Sequence, residues 1–142
     1  MEVSFKQVHQ KVLQQVEEQN KSRTVRAANV IKLHSNKVLS NAAGRTGKVY
    51  RRSVGSSKTY TASAPGEPPA LRSGDLRRSW RPLPVAEMAG SDKVYTPGIH
   101  TDIEYAPLLQ NGTGKMAARP FEEPIKKDAW PEVKAIFEQP YF

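Results

Sequence analysis

At 142 residues with no cysteine, 37% apolar and 25% charged, the chain has room for one modest core and excludes disulfides, thiol nucleophiles and thiolate metal sites. Met1 to Gln10 lacks an apolar signal core and no run of about eighteen apolar residues exists, so neither a standard secretion signal nor a membrane partner is expected. The net charge of +8 is uneven: twelve Lys or Arg face three acids in residues 1–60, five face four in 61–100, and five face seven in 101–142, a pattern suited to nucleic acid or to head-to-tail contact between copies of one subunit.

The spacing predicts one long helix from Ser4 to about Ala42. Phe5, Val8, Val12 and Val16 step by three and four, as do Ala27, Ile31, His34 and Val38. The polar stretch Glu17–Thr24 between them is expected to be solvent-exposed or kinked. The helix should stop near Ala43, with Gly44 in the left-handed conformation that closes a helix end. Thr46–Val54 and Lys58–Ala62 then read as a hairpin turning at Gly55-Ser56-Ser57, anchored by Tyr50 and Tyr60.

Pro65, Pro68 and Pro69 fix their own φ and restrict the residues before them, so Ser63–Ala70 is expected to be extended or polyproline-like. Ser73 can cap a short helix, about Gly74–Ser79, with Asp75 at its positive end and Leu76 and Trp80 on one face. Arg81–Met88 and Lys93–Ile103 form a second strand pair, turning at Ala89-Gly90-Ser91-Asp92. Pro82, Pro84 and Pro97 cannot donate to a ladder and demand bulges or edges there. Glu104–Gly114 should run into a short helical turn. A last helix carries Phe121, Ile125, Ala129, Val133 and Ile136 or Phe137 at helical spacing, with Pro131 expected to kink it.

The fold class expected is therefore α+β: a long N-terminal helix and a C-terminal helix packed on a small, irregular, mostly antiparallel sheet with a Pro-rich extended arm. A single domain over 1–142 is expected, helical in 1–43, stranded in 44–103 with the arm at 63–80, and ending in the helical turn and helix of 104–142.

Catalytic material is sparse. Gly44-Arg45-Thr46-Gly47-Lys48 lacks the spacer of a phosphate loop, and Val49 stands where a hydroxyl should hold magnesium. His100, Asp102 and Glu104 alternate along one strand, but neighbours on one face are about 7 Å apart, too spread for one ion without further ligands. An unusual hydrolase built on these three is the only enzymatic reading. His34 reads as a packing histidine and His9 as solvent-facing. No catalytic, cofactor or metal site is therefore assigned. Arg45, Lys48, Arg51, Arg52 and Lys58 make the first hairpin the most basic in the chain. They face DNA, an acidic partner or solvent, and any DNA contact would be electrostatic and independent of sequence.

Three landmarks occur in order. Ser63-Ala64-Pro65-Gly66-Glu67-Pro68-Pro69-Ala70 leads into Ser73-Gly74-Asp75-Leu76-Arg77-Arg78-Ser79; Glu104-Tyr105-Ala106-Pro107 follows, with Asn111-Gly112-Thr113; then Ala118-Arg119-Pro120-Phe121. This ordered set resembles the neck or tail-completion family of long-tailed double-stranded DNA bacteriophages and prophages, across about Arg45–Phe137. The resemblance implies an α+β structural subunit of a ring at the head-tail junction or tail terminus, with six copies favoured and twelve the alternative. Its partners would be head-completion or stopper and tail-tube proteins, with non-specific contact to packaged DNA, and its location the virion after assembly in the host cytoplasm. Pro65, Pro68, Pro69, Leu71, Leu76 and Trp80 are the expected inter-subunit contacts, buried against an adjacent subunit. The competing class is a small basic accessory protein that binds DNA without sequence preference.

Overall fold

The structure is a computed structural model and describes residues 5–40 and 44–142. Among these residues lie four helices, α1 (Lys6–Val38), α2 (Asp75–Ser79), α3 (Ala106–Asn111) and α4 (Glu122–Phe137), and six short strands. The strands are β1 (Val49–Arg51), β2 (Thr59–Thr61), β3 (Arg81–Pro82), β4 (Val85–Ala89), β5 (Asp92–Thr96) and β6 (Ile99–His100). The α+β class is as expected.

The strands form three separate antiparallel ladders, β1-β2, β3-β6 and β4-β5, instead of one small sheet. The last two belong to one long hairpin interrupted where Pro82, Pro84 and Pro97 supply no N–H, bridged there only by the Leu83 N–H donating to the Gly98 carbonyl at 2.8 Å. The hairpin closes through Gly90-Ser91, with Ala89 opposite Asp92 and Gly90 at φ 65°. It lies against α1 through β3, β5 and β6. The strand expected to reach Ile103 ends at His100.

α1 is one unbroken helix of 33 residues. Its expected continuation toward Ala42 is cut short at Val38, and Ser4, Ala42 and Ala43 lie outside the described residues. Leu39 turns into the core at 3% exposure, Ser40 Oγ donates to the Lys37 carbonyl, and Arg45 Nη2 donates to the Val38 carbonyl at 2.7 Å. A cation on the last carbonyls closes the helix. Gly44 does have positive φ, 77°, but it stands six residues past the helix end.

α4 runs antiparallel to α1: His34 meets Asp128 and Glu132, while Arg23, eleven residues earlier, reaches the Phe137 and Pro140 carbonyls. Ala27, Ala28 and Ala129 are almost fully buried, small side chains that let two helices approach closely. α4 passes through Pro131 as one helix. Beyond the end of α1, Leu39, Leu76, Trp80, Ala106, Phe121 and Ile125 form the apolar core, flanked by Ile31, Val38, Ile99, Ile103 and Leu109.

Candidate assembly surface

The three landmark stretches, far apart in sequence, meet at one junction. Ala64-Pro65-Gly66-Glu67 is a turn with proline second and a positive-φ glycine third (Gly66, φ 84°), closed by the Glu67 N–H donating to the Ala64 carbonyl at 3.1 Å. The arm is therefore bent once, not extended throughout Ser63–Ala70. Gly66 N–H donates to the Ala118 carbonyl (3.1 Å) and Arg119 N–H to the Leu109 carbonyl (2.7 Å), joining first to third and third to second. Gln110 Oε1 accepts the N–H groups of Phe121 (2.9 Å) and Glu122 (3.1 Å), so α3 caps α4 from outside. Gly112, at φ 76°, closes α3 where an added Cβ would stand 2.7 Å from the Ala118 nitrogen.

Glu67 holds the bend. Its carboxylate accepts the Ala64 N–H (2.8 Å), the Thr46 N–H (3.1 Å) and the Thr46 hydroxyl. These donors, the Thr46 hydroxyl foremost, lower its pKa to about 2. Asp75 and Arg78 pair on the exposed side of α2. Gly74, in the left-handed conformation, precedes that helix where Ser73 was expected to cap it. Ser73 Oγ still accepts the Asp75 N–H at 3.3 Å and donates to its carboxylate, which lies below the usual range mainly for that reason.

Three of the six expected inter-subunit contacts, Pro69, Leu76 and Trp80, are buried within the chain itself. Leu76 and Trp80 are each 9% exposed within the chain's own core, where the Trp80 ring meets Phe121 edge-on at 5.7 Å. Their apolar pairing was legible; its partner is this chain, because α2 lies over the end of α1. Pro69 is buried and its carbonyl accepts Arg45 Nη2 at 3.3 Å, Pro68 and Leu71 are half-buried, and Pro65 is exposed. An open groove of about 840 Å³ runs beside them, lined by Tyr60, Pro69, Leu71, Leu108, Met116 and Arg119 among others.

Polar Glu17–Thr24, expected at the surface, holds the most deeply buried cation described. Arg23 is 2% exposed. Its guanidinium donates to the carbonyls of Phe137 (3.2 Å) and Pro140 (3.0 Å) and to Gln19, and stacks 4.0 Å from the Tyr141 ring centroid. Tyr141 donates its hydroxyl to Asn20 at 2.6 Å and accepts Gln19 at its carbonyl. The tail thus seals the middle of α1. His34 lies at the same seam, 4% exposed, with Nδ1 2.6 Å from Asp128 and Nε2 3.0 Å from Glu132. Only the imidazolium can donate to both.

Upstream of that seal α1 is bare. Residues 5–15 are all exposed, and Phe5 (74%), Val8 (58%), Val12 (38%) and Leu13 (55%) carry an apolar strip that no part of the described chain covers. α1 spans about 50 Å and α4 about 24 Å, so about half of α1 has no helix beside it.

The basic set divides. Lys48, Arg51, Arg52 and Lys58 are exposed on the β1-β2 hairpin, whereas Arg45 ties the end of α1 to the arm, where burial pushes its pKa down against the pull of Glu67. His100 bonds Asp102 at 2.8 Å and Arg81 pairs with the same carboxylate, which these two groups hold below its ordinary range. Glu104 sits in the turn before α3. Among the described residues no three His, Asp or Glu side chains form a group able to hold a metal, and no helix is long and apolar enough to cross a membrane.

Comparison of the chain with protein-family models, with curated proteins and with solved structures found no match in any of the three.

Proposed function

We propose that this chain is a structural subunit of the head-tail junction or tail terminus of a long-tailed double-stranded DNA phage, acting as six copies, with twelve the alternative, around the DNA channel. The phage reading rests on the ordered landmark stretches. The observation that carries it furthest is their convergence: 63–79, 104–113 and 118–121 are bonded into one junction through Gly66, Ala118, Leu109, Arg119 and Gln110. A set of landmarks that folds into a single unit behaves as one shared structural feature.

Assembly into copies is supported by the bare half of α1. An apolar strip of Phe5, Val8, Val12 and Leu13 on one helix is a surface that a neighbouring subunit can cover. The neighbours in the particle would be stopper and tail-tube proteins, and the location the virion.

Electron microscopy of particles made after deleting the gene from its phage or prophage tests the role. The expected result is filled heads separated from tails, restored when the protein is supplied in trans. Normally joined particles would overturn it.

A further inference from the structure

The β1-β2 hairpin has the chemistry of a nucleic-acid contact, independently of any ring. Between Glu18 and Glu67 the chain contains no acid, and the hairpin lies inside that stretch. Its base is fixed: Gly47 N–H donates to the Ala62 carbonyl at 2.9 Å, and a Cβ on Gly47 would stand 2.5 Å from the same oxygen. Above the base the ribbon stands in solvent, with residues 48–55 all exposed and Val54 at its tip wholly so.

The register decides which side chains share a face. Tyr50 lies opposite Tyr60, with rings stacked at 5.9 Å, and the Arg52 N–H to Lys58 carbonyl (2.9 Å) and Ala62 N–H to Lys48 carbonyl (2.8 Å) bonds continue that register at both ends. Alternation then puts Lys48, Arg52 and Lys58 on the tyrosine face and Arg51 with Val49 on the other. The face reads cation, aromatic pair, cations, with about 13 Å between Lys48 and Arg52 along the strand. None of the four cations makes an ion pair among the described residues, and no acid of the ribbon competes for them.

We propose that this ribbon binds the phosphate backbone of duplex DNA without sequence preference. A two-stranded ribbon fits the major groove, which is about 12 Å wide. Lys48, Arg52 and Lys58 supply the phosphate contacts, Arg51 reaches from the reverse side, and the tyrosine pair keeps the two strands in register. A protein partner is disfavoured because lysine, which supplies two of the three cations on this face, is depleted in the cores of protein interfaces.

The test is fluorescence anisotropy of the full chain with a labelled random-sequence duplex over a range of salt concentrations. Binding is expected to weaken with salt with a log-log slope of about −3.6 for four phosphate contacts, and Arg51→Gln is expected to lessen that slope by about 0.9. The triple variant Lys48→Glu, Arg52→Glu, Lys58→Glu should bind at least about tenfold more weakly. A charge-matched control, Lys126→Glu, Lys127→Glu and Lys134→Glu on α4, should bind as the parent does, and thermal melts of both variants establish that they fold. Equal affinity of the triple variant, salt-independent binding, or tighter binding of a polyglutamate competitor than of duplex would each overturn the proposal, the last in favour of an acidic protein. The particle microscopy can succeed or fail without regard to this result.

Discussion

The two halves of α1 carry the same kind of apolar spacing and meet opposite fates. From Gln19 to Val38 the helix is covered by α4, the chain's tail and the second hairpin, and buries Arg23, Thr24, Ala27, Ala28, His34 and Ser35. From Lys6 to Gln15 every residue is exposed, Val8 and Val12 included. Periodicity therefore marks which face of a helix is able to be covered, while the length of the neighbouring elements decides how much of it is. The covered stretch holds buried polar groups that need fixed partners; the bare stretch presents Phe5, Val8, Val12 and Leu13 among Lys and Gln side chains, and these apolar groups accept any apolar surface offered.

The sharpest way to break the covered half is at its closed end. Phe121→Ala removes the ring packed on Trp80 and is expected to destabilise the chain by about 3–5 kcal/mol in urea unfolding. Arg23→Ala comes next. It leaves the Phe137 and Pro140 carbonyls without their donor and is expected to cost about 1.5–3 kcal/mol, with faster amide exchange confined first to residues 137–141. A small loss with no change at the tail would show that the seal is not needed to cover α1.

The arm that braces the same end should respond to acid. Glu67 has a folded value of about 2 against an ordinary 4.5, so its contribution is fully present above 4.5 and is lost as pH falls through about 2. Amide protection at Thr46 and Ala64, taken relative to the intrinsic exchange rate at each pH, should fall over that window, and Glu67→Gln should abolish that fall at both. The bare half predicts the smallest effect on folding. Phe5→Ser with Val12→Ser is expected to change monomer stability by less than about 0.5 kcal/mol while lowering the oligomeric mass measured by light scattering. A large loss of monomer stability would mean that this half is covered after all.

Much of the fold was legible in local signals. The helical spacing of α1 and α4 and the interruption of the second hairpin at Pro82, Pro84 and Pro97 follow from side-chain periodicity and missing N–H groups. What escaped depends on partners that the local pattern does not name. Arg23 looked like a surface cation because its acceptors lie at Phe137 and Pro140, and a backbone carbonyl leaves no trace in sequence. Arg45 looked like one member of a basic run until the Val38 and Pro69 carbonyls claimed it. Leu76 and Trp80 were readable as an apolar pair, but nothing in their spacing says whose core they enter.

The bonds that join Gly66 to Ala118 and Arg119 to Leu109 run from main chain to main chain, and Gln110 contributes the one side chain in that set. Backbone atoms are the same in every residue but proline, so apart from the positive φ that keeps a glycine at 66 these links place little demand on the identity of what they connect. Mutation can therefore rewrite the outward-facing residues around the junction, exposed Pro65, Lys115 and Ala117 among them, while its shape is inherited intact. Such a frame lets a lineage change the surface it shows to a partner without first having to solve its fold again.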